Sequence, residues 1–266
     1  MIERLVLVGA KEKPPHAKAP PIMHSGSLHS NLMVIKISGR CHVLPELADR
    51  IKAAVDSGKK VVIVHGAGLQ IDKALYDAGI TTVKENGVRI TPLEAMPIIA
   101  QEVETLNYRI CGTMADKSLK AVQAGIGSGP YVIKGERKVG RTGEVASVDV
   151  ETLKFLLKDN DVVVLSCLGI DADGLLNINA DSVAAGVAVA MKAGTLRVVS
   201  DKAVIANGST LAAIDGPTAE GLISQGIITD GMVVKVKSML NAASHVEEVL
   251  IEDENGRTTR FFSPGI

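Results

Sequence analysis

Four short apolar runs, rich in β-branched residues, punctuate this chain: residues 32–37 (LMVIKI), 60–64 (KVVIV), 161–168 (DVVVLSCL) and 196–200 (LRVVS). Each ends at a small or polar turn, with helix-like residues further on. A strand that is apolar on both faces belongs inside a parallel sheet covered by helices, so the pattern predicts an α/β fold. The packing material agrees. With no Trp, three Phe and three Tyr, the core of this 266-residue chain falls to Val, Ile, Leu, Ala and Gly. Stacking on nucleic-acid bases is thereby disfavoured, and a net charge of −1 removes the electrostatic case for nucleic acid or an anionic membrane. Cys41, Cys111 and Cys167 are scattered without metal-ligand spacing, the pattern of free thiols in a reducing cytoplasm. No apolar run is long enough to span a bilayer.

The segment LNINAD, residues 176–181, lies between the apolar run 161–168 and a helix-like stretch at 182–192. Its two amides and carboxylate therefore fall where a strand hands over to a helix, beside the crevice in which open α/β sheets hold ligands. Asp181 either caps that helix or is a buried anion holding cations from elsewhere. Lys36, near the end of an otherwise apolar strand, needs an anionic partner or ligand unless it snorkels to the edge. Lys235 is placed in the first turn of a helix over 233–243, where a cation opposes the helix dipole and points to a bound anion. The strand 60–64 ends in His65-Gly66-Ala67-Gly68 before a helix, an arrangement whose backbone N–H groups cradle anionic oxygen or simply serve tight packing. Arg89 follows a turn and is placed to fork onto a carboxylate, or else lies on the surface.

Residues 92–108 and 112–124 read as helical. Residues 131–149 read as a hairpin with a basic turn at Arg137, Lys138 and Arg141, a candidate lid. The first 31 residues hold four prolines between positions 11 and 31 and are expected to be an extended or disordered arm. His16, His24 and His29 within it lack metal-site spacing.

Seven blocks, VIKISGR, VVIVHGAGLQ, NGVRITP, GEVASVD, LNINAD, VVSDKAVIA and IITDGMVVKV, resemble the amino acid kinase family in order, spacing and context. Within it they look most like the short, arginine-insensitive acetylglutamate kinases. The resemblance implies a three-layer αβα sandwich around a mainly parallel, roughly eight-stranded sheet, formed by residues 32–266. Residues 32–180 would make the acyl-substrate lobe and 181–266 the ATP lobe. It implies ATP-dependent phosphorylation of the side-chain carboxylate of N-acetyl-L-glutamate in arginine and ornithine biosynthesis, by a cytoplasmic homodimer. Lys36, Lys235 and Asp181 would be catalytic, and Ala67, Gly68, Arg89, Asn177 and Asn179 would bind the acyl substrate. Gly39, Gly66, Asp201, Lys202, Ala203, Val204, Ile205, Ala206, Ile227, Ile228 and Thr229 would line the nucleotide site. Mg²⁺ would be held chiefly by the nucleotide's phosphates, with no protein metal site.

Three departures qualify the likeness. Ser38 and Ala67 stand where the family has glycine, and Ala67 is expected to crowd the substrate-binding backbone. The chain also closes with FFSPGI in place of the family's Gly-Thr segment, so the last strand is expected to be rearranged. A paralogue acting on a carrier-linked or otherwise modified acidic amino acid, or a weakly catalytic binding module, stand as alternatives.

Overall fold

A computed structural model describes residues 31–38, 45–85, 87–127 and 129–263. The expected proline-rich arm, apart from Asn31, and Gly39 lie outside these residues. In chain order the elements are β1 (Leu32–Ile37), α1 (Pro45–Asp56), β2 (Lys60–His65), α2 (Gly68–Asp77), β3 (Val83–Glu85), β4 (Val88–Ile90), α3 (Met96–Asp116), β5 (Ala121–Ala124), β6 (Ile133–Val139), β7 (Thr142–Val148), α4 (Val150–Asp159) and β8 (Val162–Ser166). There follow β9 (Leu168–Asp171), β10 (Gly174–Ile178), α5 (Ala180–Ala190), β11 (Thr195–Val199), β12 (Ile205–Ala206), β13 (Ser209–Thr210), β14 (Ala213–Ile214), α6 (Gly216–Ser224), α7 (Asp230–Ala243), β15 (Glu248–Glu252) and β16 (Thr258–Phe261).

The main sheet has eight strands in the order β14-β16-β15-β11-β1-β2-β8-β5. Every neighbouring pair is parallel except β15 with β16. The apolar runs 32–37, 60–64, 161–168 and 196–200 supply its centre, with Val34, Val62, Val163 and Val198 all fully buried. Strands covered on both faces need such continuous β-branched sequence. The strand β16 pairs regularly with β15, so the altered chain end does not disturb the closing antiparallel pair.

The small helix α5 packs against β1, β2, β7, β11 and α7. It buries Val183, Ala184, Ala185, Val187 and Ala188, residues short enough to let it lie close to all of them. Its far side meets a second unit, a small closed barrel of β10, β7, β6 and β9. The barrel is filled by Leu176 and Ile178, and three glycines leave room for them. A Cβ at Gly135 or Gly143 would lie 2.5 or 2.8 Å from Leu176, and one at Gly169 would lie 2.6 Å from Ile178.

Three expectations are corrected by this architecture. The strand that delivers LNINAD is β10, the second strand of a hairpin turning at Ala172-Asp173, and not the sheet strand at 161–168. The hairpin at 131–149 exists as β6 and β7, but it is a wall of the barrel and not a lid. Its basic residues are tied down: Arg141 is buried on Asp171 at 3.0 Å, and Arg137 reaches Asp173. Finally, residues 112–124 are not one helix. The helix α3 runs unbroken to Asp116, and 121–124 form the edge strand β5.

Candidate active site

Three charged side chains from distant parts of the chain meet at the carboxyl ends of the central strands. Lys36 comes from β1, Asp181 from the first turn of α5 and Lys235 from the second turn of α7. Lys36 Nζ lies 2.9 Å from Asp181 Oδ1, and Lys235 Nζ lies 3.1 and 3.0 Å from Oδ1 and Oδ2. All three are nearly sealed, at 7, 6 and 8 % exposure. Burial alone would raise the Asp181 carboxyl, but Lys235 and Lys36 outweigh it and hold the group far below the usual carboxylate range. Burial pushes Lys235 below the usual lysine range, and the nearby Lys36 ammonium adds to this while Asp181 opposes it. Two ammonium groups on one carboxylate leave a net positive charge out of water, which costs several kcal/mol unless an anion joins them.

The local sequence explains each placement. Alternation along β10 turns Leu176 and Ile178 into the barrel, while Asn177 and Asn179 line a cavity of about 220 Å³ outside it. Asn179, not Asp181, caps α5: its Oδ1 accepts from the N–H groups of Asp181 (2.8 Å) and Ser182 (3.2 Å). Asp181 is thus free to face the lysines while gaining from the positive end of the helix. Helix α7 begins at Asp230 rather than Val233, so Lys235 lies one turn in and the expected opposition to the dipole does not arise.

The cavity is lined by Lys36, Ser38, Gly66, Gly68, Lys84, Arg89, Asn177, Asn179 and Asp181, among others. Among the described lining residues three cations thus face one carboxylate. No side chain caps the start of α2 beside Gly68, which leaves a helix N-terminus of the kind that binds anionic oxygen. The hairpin of β3 and β4 borders the cavity through Lys84, Gly87, Val88 and Arg89. Its tip meets the start of α7: a Cβ at Gly87, where φ is +82°, would fall 2.5 Å from Gly231 Cα. This hairpin, and not the one at 131–149, reaches across the cavity.

Ala67 does not behave as expected. Its φ of −123° is open to any L-residue. Its side chain is 1 % exposed and does not line the cavity, so the methyl group crowds nothing in the site.

Arg89 is buried, donating from one terminal nitrogen to Thr82 Oγ1 at 2.6 Å and from the other to Asp72. Its main-chain carbonyl accepts from Thr142 Oγ1 at 2.8 Å, and Asn177 Nδ2 donates to Thr91 Oγ1 at 3.0 Å. Sequence reasoning missed Thr91, Thr142, Asp72 and Lys84. Of these only Thr91 sat inside a quoted block. Of the ten described residues expected at a nucleotide site, Gly66 lines this cavity and the other nine are not among its lining residues. Ala203, Val204, Ala206 and Ile228 are buried, while Asp201, Lys202, Ile205, Ile227 and Thr229 are exposed. Among the described residues no group of three or more His, Cys, Asp or Glu could hold a metal ion, and no helix is long and apolar enough to cross a membrane.

Comparison with known proteins identifies the family. The family model described as the amino acid kinase family matches residues 31–253. Acetylglutamate kinases from Shewanella putrefaciens and Shewanella amazonensis are 34 % and 32 % identical over 228 residues, covering 82 % of this chain and 87 % and 86 % of theirs. A solved structure from Streptococcus mutans UA159 superposes with a TM-score of 0.80 at 26 % identity, covering 87 % of this chain and 98 % of the other. Carbamate kinase from Giardia lamblia bound to AMP-PNP shares the fold alone, with a TM-score of 0.65 at 14 % identity over 88 % of this chain and 99 % of its own. With its sheet, its buried charged triad and a family match spanning most of its length, this chain belongs to the amino acid kinase family.

Proposed function

We propose that this chain is an ATP-dependent kinase that phosphorylates the side-chain carboxylate of an N-acylated acidic amino acid, with N-acetyl-L-glutamate the first candidate. The observation that carries this reading is the buried excess of positive charge at Lys36, Asp181 and Lys235. A transferring phosphoryl group spreads negative charge over its oxygens, and its catalysis is mostly positioning and cationic stabilisation. Lys36 and Lys235 would contact those oxygens from two sides, with Asp181 fixing the separation of the two ammonium groups. The uncapped start of α2 at Gly68 would add main-chain donors. An acceptor carboxylate is already ionised near neutral pH and needs no general base. The cavity fits such an acceptor, since among the described residues no histidine lines it and its carboxylate, Asp181, is held ionised by lysines.

Arg89 and Asn177 would hold the acyl substrate within the lobe formed by residues 32–180. Residues 201–206 and 227–229 would border ATP in the lobe formed by 181–266. Mg²⁺, held by the nucleotide's own phosphates, would offset their charge. Arginine biosynthesis, the cytoplasm and a homodimeric state are the pathway, compartment and assembly we propose with it, supported by the chain's likeness to the acetylglutamate kinases.

The test is acyl phosphate formation, trapped as a hydroxamate, from MgATP and a panel of N-acylated acidic amino acids. N-acetyl-L-glutamate should give product. Nucleotide-induced thermal stabilisation without product from any panel member would overturn the kinase reading in favour of a binding module.

A further inference from the structure

The antiparallel register of β3 with β4 sets Lys84 directly opposite Arg89. Like charges facing each other across a strand pair are destabilising, and a three-residue hairpin arm has little else to offset that. The compensation comes from Asp72 on α2. One of its carboxylate oxygens accepts from Arg89, and the other accepts from Lys84 Nζ at 2.7 Å. Burial would raise the Asp72 carboxyl, but Lys84 and Arg89 hold it below its ordinary value, so it stays an anion.

Position separates these three residues by function. Lys84 and Arg89 line the 220 Å³ cavity, whereas Asp72 does not. It faces a neighbouring cavity of about 350 Å³ on the far side of Arg89. The carboxylate therefore grips both cations from behind. One anion against two cations leaves a net positive charge turned toward the space beside Lys36 and Asp181.

Resting on the kinase reading above, we infer that Lys84 is a second cation, beside Arg89, for the non-reacting carboxylate of the acceptor, and that Asp72 is a positioning residue for both. An acceptor with two carboxylates would then be oriented by charge at one end and phosphorylated at the other. Asp72 never touches the acceptor. It fixes the side-chain directions of two groups that do, and Thr82 restrains Arg89 further.

The test is steady-state kinetics on the full chain with Lys84→Met, Asp72→Asn and Asp72→Glu. Two acceptors are compared: the N-acylated dicarboxylate and its analogue with the non-reacting carboxylate converted to a primary amide. Lys84→Met should raise KM for the dicarboxylate about 10- to 100-fold, the effect of losing one charge-assisted hydrogen bond, and by much more than it lowers kcat or alters KM for ATP. The amide analogue should bind Lys84→Met no worse than it binds wild type. Asp72→Asn should raise the same KM, and Asp72→Glu should restore it in part. An equal loss for both acceptors, or no change in either KM, overturns the inference while leaving the kinase reading intact. Absence of turnover by the wild-type chain on every acidic acceptor defeats that reading, and the inference with it.

Discussion

Removing Asp181 should cost stability and removing Lys36 should not, while both cut turnover by orders of magnitude. Asp181→Asn keeps the shape of the side chain but leaves two buried ammonium groups without their shared carboxylate. Breaking a buried pair by deleting one partner costs about 3–5 kcal/mol. In a domain of this size each kcal/mol moves Tm by about 2–4 °C, so the variant should melt on the order of 10 °C below wild type. Lys36→Met instead leaves Lys235 and Asp181 as a neutral pair, with an apolar stem filling most of the vacated volume. Its Tm should equal or exceed that of wild type, because the surplus charge has gone. Turnover should fall about 10²–10³-fold or more in each variant, as expected when a donor to transition-state charge is lost. The two also differ in response to nucleotide. Saturation at about 100 times Kd adds about 2.7 kcal/mol of stability to wild type, and Lys36→Met should show much less. Thermal melts with and without MgATP, alongside ADP release, decide the matter. Should Lys36→Met lose as much stability as Asp181→Asn, the cluster is a structural ion network and not a site poised for an anion.

Lys235, whose folded pKa is depressed, binds its proton less readily than in the unfolded chain. Stability of the ligand-free protein should therefore rise with pH toward the ordinary lysine value near 10.5, whereas turnover, which needs the ammonium, should fall over the same window. Melts and rates from pH 7 to 10, compared with melts of Lys235→Met, check both signs; a falling wild-type minus variant difference would contradict them. His65 is driven by burial down to about 3 from 6.5, so the unfolded chain takes up a proton that the folded chain refuses. Its contribution should lower stability as pH falls below about 6.5, by up to about 1.4 kcal/mol per unit, and His65→Gln should flatten that slope in denaturant titrations at pH 7, 6 and 5. Gly87→Ala places a Cβ against Gly231 at a positive φ; it should raise KM for the acceptor with a stability loss of only about 1–2 kcal/mol, and an unchanged KM would mean that the hairpin's contact with α7 is incidental. Ala67→Gly should destabilise by about 0.4–1 kcal/mol through unfolded-state entropy without increasing turnover, and a rise in turnover would revive the idea that the methyl group obstructs the site.

The layered architecture was legible because buried parallel strands and small-residue helices leave continuous signals. The run LMVIKI coincides with β1, and Gly58 follows α1 where the helix breaks. Of the barrel only the hairpin of β6 and β7 was legible. The other two strands are short, and β9 continues the apolar run of β8 with one residue between them, so periodicity alone merges two strands that belong to different units. The strand β5 was lost for a related reason: AVQA follows a real helix closely and has no β-branched run to separate it. In the site, Lys36 and Asp181 could be anticipated from the rule that a charge placed among apolar residues needs a partner. Asp72 and Lys84 carried no such mark, since each reads as an ordinary solvated charge on a helix or a short strand.

What joins the legible and illegible parts is the segment 176–181, where two periodicities meet. As a strand it must send Leu176 and Ile178 one way and the asparagines the other, and as a helix start it must cap itself and then turn Asp181 inward. Asn179 satisfies both demands, since it lies on the cavity side of the strand and is also the N-cap of α5. The barrel therefore does more than extend the fold. By closing around Leu176 and Ile178 it fixes the register of β10, and with it the rotation at which α5 begins. A one-residue slip would send the asparagines into the barrel and turn Asp181 away from both lysines. The glycines at 135, 143 and 169, none of which lines the cavity, thus help to hold the buried carboxylate in place. Side chains added at those positions should disturb the pairing of Lys36 and Lys235 with Asp181 before they disturb the eight-stranded sheet.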